Sequence, residues 1–110
     1  MDRRASWLKG VLDLLVLASL TEGESYGYAI AKRLDDAGLG RIRGGTLYPV
    51  LNRMEEAGLV AAEYRAVEKG PGRRYYVLTD EGRTVLAEQG RAWTEFDASV
   101  RSVLAEGGIR

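Results

Sequence analysis

Thr46, Tyr48, Asn52 and Arg53 fall on the first two turns of one short helix expected between Gly44 and Val60 (GGTLYPVLNRMEEAGLV). They offer a hydroxyl, a phenol, an amide and a guanidinium. Such a set makes hydrogen bonds and grips anions; it does not break covalent bonds by itself. Further cations flank it. From Gly40 to Met54 the charged residues are Arg41, Arg43 and Arg53, with no acid. From Lys69 to Leu78 they are Lys69, Arg73 and Arg74, again with no acid, while Glu22, Glu24, Asp35 and Asp36 cluster elsewhere. Overall charge is balanced, 16 Lys and Arg against 16 Asp and Glu. Two local basic patches on a neutral chain suit a polyanion site, although solvated loops give the same short runs.

The residue inventory argues against catalysis. There is no histidine and no cysteine. The commonest general base and the thiolate nucleophile are therefore missing, and a zinc site would need carboxylates alone. The expectation is a protein that is not an enzyme and uses no metal and no cofactor. No signal peptide is evident, and the longest apolar run, Leu14 to Ala18, is far too short to span a bilayer. A cytoplasmic protein with no membrane partner is expected.

The 110 residues suffice for one small domain with a modest core. After a basic arm, Met1 to Trp7, a helix is expected over residues 5–20. It is apolar nearly all round, which requires burial on more than one side and hints at a subunit contact. Ser25 reads as the N-cap of a second helix, Tyr26 to Ala37, with Tyr26, Ala29, Ile30 and Leu34 on its apolar face. A linker, Leu39 to Gly45, leads to the third helix. There Thr46 reads as N-cap, Pro49 as about the third helical residue, and Gly58 as the left-handed stop. Leu47, Val50, Leu51 and Met54 form its apolar face. Two short helices joined through glycines make a helix-turn-helix pattern.

Val60 to Val67 and Arg73 to Leu78 read as strands around the turn Glu68 to Gly72. A hairpin with a basic, glycine-rich tip after a helix-turn-helix is the layout of a winged helix. Thr79 then caps a final helix reaching about Glu106. Along it Leu86, Gln89, Trp93, Phe96, Val100 and Val103 recur at heptad spacing. A stripe roughly 40 Å long needs more cover than one small domain supplies, and a partner subunit is the simplest cover. The fold class is thus mainly α with a small β-hairpin (α+β). Residues 1–79 form a winged helix-turn-helix, and residues 80–110 a C-terminal dimerisation helix packing with helix 5–20 of the partner.

This order resembles the PadR family of transcriptional regulators. The resemblance is carried by Tyr26-Gly27-Tyr28-Ala29-Ile30, by Gly45-Thr46-Leu47-Tyr48-Pro49 and by Met54 to Val60 (MEEAGLV). Gly72 to Thr79 (GRRYYVLT) and Glu81-Gly82-Arg83 complete it. It covers about residues 8–106 and looks like the short form, in which the single C-terminal helix and the N-terminal helix make a homodimer. Two departures stand out: the wing is shorter and less basic than is common, and Arg41 and Arg43 are additions to the pattern.

The resemblance implies a regulator, expected to be a ligand-responsive repressor that binds an inverted-repeat operator in double-stranded DNA as a homodimer. The third helix becomes the reader, with Thr46, Tyr48, Asn52 and Arg53 toward the groove and Arg41, Arg43, Lys69, Arg73 and Arg74 toward phosphates or the minor groove. Tyr48 packed under the wing, Asn52 merely solvated and Arg53 paired with Glu55 or Glu56 are the plain alternatives. Glu55 and Glu56 are expected to point away from phosphate. The dimer seam is expected at Leu86, Gln89, Trp93, Val100 and Val103. In one branch of the family a Trp at the place of Trp93 sandwiches flat aromatic ligands. Trp7, Val11, Leu14, Trp93, Phe96 and Asp97 are thus candidate walls for a small aromatic or phenolic effector, unless Trp93 only fills the seam. A winged-helix module that binds a protein and not DNA is the competing reading.

Overall fold

A computed structural model describes residues 3–109. Of the expected basic arm, Met1 and Asp2 lie outside the described residues, as does Arg110 at the other end. The elements run α1 (Arg4–Ala18), β1 (Ser25–Tyr26), α2 (Gly27–Leu34), α3 (Gly44–Glu56), β2 (Val60–Arg65), β3 (Arg73–Leu78) and α4 (Asp80–Glu106). The protein is mainly helical, with a small antiparallel sheet in the order β1-β3-β2.

The core forms where the apolar faces of the first three helices meet the inner face of the hairpin. Leu12, Val16, Leu17 and Leu20 come from α1 and its end, Ile30 and Leu34 from α2, and Leu47, Val50, Leu51 and Met54 from α3. Val60, Tyr76 and Leu78 of the sheet close it. These side chains recur three and four apart on the helices and two apart on β3, so each element presents one face inward. Burial pushes the Tyr76 hydroxyl's pKa up, although the nearby Arg74 cation opposes the shift.

Several local expectations change. Ser25 caps no helix. With Tyr26 it forms β1, pairing antiparallel to β3 at Ser25–Tyr76 and Tyr26–Tyr75, and α2 starts one residue after Tyr26. A two-residue edge strand has no periodicity to reveal it; only the partner strand makes it a strand. The second helix is α-helical to Leu34 and then continues in a wider helical path that breaks at Gly38. That wider stretch, Asp35–Leu39, carries Gly38 at φ 95°, a backbone state glycine adopts without a Cβ penalty.

Thr46 is not the N-cap of α3 either. The helix begins two residues earlier at Gly44, after Arg43, whose extended backbone turns the chain in without any side-chain cap. The Arg43 carbonyl closes the first turn by accepting from both Thr46 N–H and Leu47 N–H, each at 2.9 Å. Pro49 therefore sits past the first turn, inside α3, where it removes the N–H that would reach the Gly45 carbonyl. Both Pro49 and Gly45 are exposed, so the loss of that bond leaves no buried carbonyl unpaired. At the far end Gly58, at φ 77°, turns the chain into β2 as expected.

Thr79 does cap α4. Its hydroxyl accepts from the Gly82 N–H at 3.0 Å and donates to the Gly58 carbonyl at 2.7 Å. One side chain thus starts the last helix and ties it to the end of α3. Within the protomer α1 packs against α3 and α4. Yet the only buried residue of the 27-residue α4 is Gly82.

Candidate nucleic-acid interface

The linker into α3 is organised by one apolar plug. Ile42 is buried, and the arginines on either side, Arg41 and Arg43, are exposed. An extended backbone sends neighbouring side chains to opposite sides, so anchoring Ile42 holds its flanking residues out in water. Arg41, Arg43, Thr46 and Arg53 come together around one groove of about 520 Å³, whose floor is Leu8, Leu12, Ile42 and Val50. Lys9 adds a further cation and Asp13 an acid.

Tyr48 is held by the glycines around it. Its ring lies against Gly27 at the start of α2 and Gly44 at the start of α3, and a Cβ on Gly27 would run into the ring and its hydroxyl. The ring remains 45% exposed, so it is pinned rather than packed away under the wing. Asn52 is exposed. Arg53 pairs with neither Glu55 nor Glu56. Its partner is Asp13 on α1, at 3.0 Å. That pairing joins residues far apart in sequence, and no helical spacing rule announces it.

The hairpin sorts its cations by face. In β3, Tyr76 and Leu78 are buried, and Arg74, on the same side, turns toward α3, where both Glu55 carboxylate oxygens accept from it at 2.8 Å. That hydrogen bonding raises the Arg74 pKa. Glu55 thus points at the wing rather than simply away from it, while Glu56 is exposed. The other face carries Arg65 and Arg73, which are cross-strand partners. Arg65 is forked by Glu24 through two 2.7 Å bonds and accepted again by Glu63 at 2.9 Å. The same contacts lower the Glu24 pKa. Lys69 in the turn and Arg73 are exposed, and neither has a carboxylate partner among the described residues. Arg65 and its two acids were missed in the sequence. The signal was available in the hairpin register, since a turn centred on Lys69 puts Arg65 opposite Arg73.

A second region lies along α1 and α4. Trp7, Val11, Leu14 and Trp93 line an apolar groove of about 470 Å³ together with Leu86 and Gly90. Phe96 and Asp97 do not line it: Asp97 is engaged by Arg101 at 3.0 Å, one helical turn on, and Phe96 is exposed. Gln89 and Trp93 also border a neighbouring groove against α1 and α3. Beyond Trp93 the stripe stays open, with Val100 40% and Val103 67% exposed.

A helix-turn-helix followed by a two-stranded wing is a winged helix-turn-helix, here extended by one long helix. The model of the PadR-like family of transcriptional regulators matches residues 16–88. A transcriptional regulator of Mycobacterium tuberculosis is 36% identical over 92 residues, spanning 84% of each chain. The crystal structure of a PadR family transcriptional regulator from Eggerthella lenta superposes with a TM-score of 0.81 at 39% identity, covering 91% of this chain and 87% of that one. A PadR-like regulator from Bacillus cereus gives 0.78 at 33%, covering 90% and 96%. The chain belongs to the PadR-like family of transcriptional regulators, whose members are regulators and not enzymes. No helix among the described residues is long and apolar enough to cross a membrane.

Proposed function

We propose that this regulator binds double-stranded DNA as a homodimer, with α3 as the reading helix, and that an effector held near the dimer seam releases it. The observation that carries the reading is the entrance to α3. Arg41 and Arg43 stand exposed on either side of a buried anchor, and no acid of the described residues pairs with them. The pair between Arg53 and Asp13 is at least half solvated, so a phosphate can replace Asp13 at little cost. Thr46, Tyr48 and Asn52 face outward on the same helix and supply hydrogen-bonding groups for base edges. The winged unit, residues 1–79, and the helix from residue 80 serve as reading head and dimer arm. An inverted repeat with half-sites about 34–36 Å apart suits such a pair.

The test is a gel shift against the DNA upstream of the protein's own coding sequence at low and high salt. A complex that dissolves with added salt supports the reading. A chain that associates with protein partners and forms no such complex would be the non-DNA module instead.

Dimerisation and effector binding draw support from the uncovered stripe on α4 and from the groove beside Trp93. An effector that changes the spacing of the two heads lowers operator affinity only through its different affinity for the two arrangements. Trp93→Ala is expected to abolish quenching of the tryptophan signal by planar aromatic dyes while leaving the operator complex within about threefold of wild type, a difference of roughly 0.6 kcal/mol. Dimerisation and DNA binding lost together in that variant would make Trp93 a seam residue only.

A further inference from the structure

The outer face of the sheet carries an arrangement that the reading helix does not explain. The Arg73 guanidinium carbon sits 4.5 Å from the centroid of the Tyr26 ring. Tyr26 meets Tyr75 edge to face at 5.4 Å, and Arg65 lies over Tyr75, again at 4.5 Å. The two arginines are cross-strand partners, an arrangement that like charges disfavour. Glu24 and Glu63 resolve the conflict by neutralising Arg65. Arg74 on the opposite face is likewise neutralised by Glu55. Arg73 is left as the strand guanidinium of this hairpin whose charge no carboxylate meets among the described residues, and it lies over an aromatic face.

We propose that Tyr26 is a positioning residue for Arg73, and that Arg73, rather than Arg65 or Arg74, is the wing residue that contacts nucleic acid. A guanidinium over a ring spends none of its N–H donors on a carboxylate, so its fork stays available for phosphate or a base edge. The stack also restricts a long side chain before binding, and less freedom then has to be lost in the complex. Tyr26 can do this because it lies in β1, against β3, and not in the helix that follows. Its pairing with Tyr75 fixes the ring from the other side. The inference rests on the proposal that the chain binds DNA.

The test is fluorescence anisotropy with labelled upstream duplex DNA at several salt concentrations. Arg73→Ala is expected to weaken binding at least tenfold and to flatten the dependence of log K on log salt by roughly two, about 0.9 for each protomer's lost phosphate contact. Tyr26→Ile should weaken it three- to tenfold, and that loss should vanish when Arg73 is already alanine. Tyr26→Phe keeps the ring and should bind as wild type. Arg73→Lys keeps the charge but not the flat fork, and should lose several-fold; it reports on the stack even if Tyr26→Ile fails to fold. Full affinity in Arg73→Lys, no loss in Arg73→Ala, or an equal loss from Tyr26→Ile in both backgrounds overturns the proposal while wild-type DNA binding stands. A wild-type chain with no salt-sensitive complex overturns the DNA-binding reading and this inference with it.

Discussion

Replacing Arg41 and Arg43 together by alanine is expected to weaken operator binding by on the order of 100-fold near 0.1 M salt, with the fold unchanged. The size follows from counterion release. Each neutralised phosphate contributes about 0.9 to the slope of log K against log salt, so four lost contacts in a dimer flatten it by roughly 3 to 4. The fold should survive because both side chains are exposed and the linker is held by buried Ile42, which the substitution leaves in place. Anisotropy titrations across salt, beside a thermal melt, check both halves. An unchanged slope would remove these arginines from the interface, and a lower melting temperature would mean that they serve the linker instead. Asn52→Ala is the contrasting case: it carries no charge, so it should leave the slope unaltered and change only the preference among sequences.

The second large effect falls on stability. Gly82→Ala is expected to destabilise the protein by about 3 kcal/mol or more, because a Cβ there would strike the backbone carbonyl oxygen of Leu59. That oxygen already accepts from the Thr79 N–H at 3.1 Å, and Gly82's own N–H supplies the cap bond to the Thr79 hydroxyl. Relief by shifting α4 would therefore break the corner that joins it to the winged unit. The same substitution further along the helix should have the opposite sign. A Cβ at Gly90 meets nothing within 4 Å, so Gly90→Ala is expected to stabilise the protomer by roughly 0.5–1 kcal/mol through helix propensity alone. Chemical denaturation of the two variants checks the contrast. Equal effects would mean that the approach of Gly82 to Leu59 is not what positions α4.

Much of this architecture is legible in the residues because it is set by local pattern. The apolar face of α3, the strand Arg73–Leu78 and the Thr79 cap each depend on spacing or on one side chain reaching a neighbouring turn. The misplaced features depend on partners distant in sequence. Ser25 and Tyr26 become a strand only because β3 lies beside them. Thr46 lost the cap because Gly44 and Gly45 continue the helix toward the anchored Ile42, and a side-chain rule for caps does not see that anchor.

The candidate site divides in the same way. Its cations were visible as residues. Which of them are already spoken for was not, since Asp13 with Arg53 and Glu24 with Arg65 bridge separate elements. Trp7, Val11, Leu14 and Trp93 are named through the family resemblance as candidate effector walls, and within the protomer they line one apolar groove between α1 and α4. Phe96 and Asp97 were included by their nearness in sequence, and the turn of the helix carries them off that groove.

By sequence alone the third helix is a short stretch with a polar outer face. Its surroundings now define it more closely: a buried plug between two exposed arginines at its start, a tyrosine pinned between glycines, and a wing in which carboxylates meet Arg65 and Arg74 but, among the described residues, not Lys69 or Arg73. The most direct test of this account is a salt titration of the purified protein with duplex DNA from its own upstream region, with stoichiometry read in parallel by analytical ultracentrifugation. A dimeric DNA-binding regulator is expected to put two chains on each site, with a log K that falls linearly with log salt at a slope of about −0.9 for each phosphate contacted. A single chain per site, or binding indifferent to salt, would contradict that account.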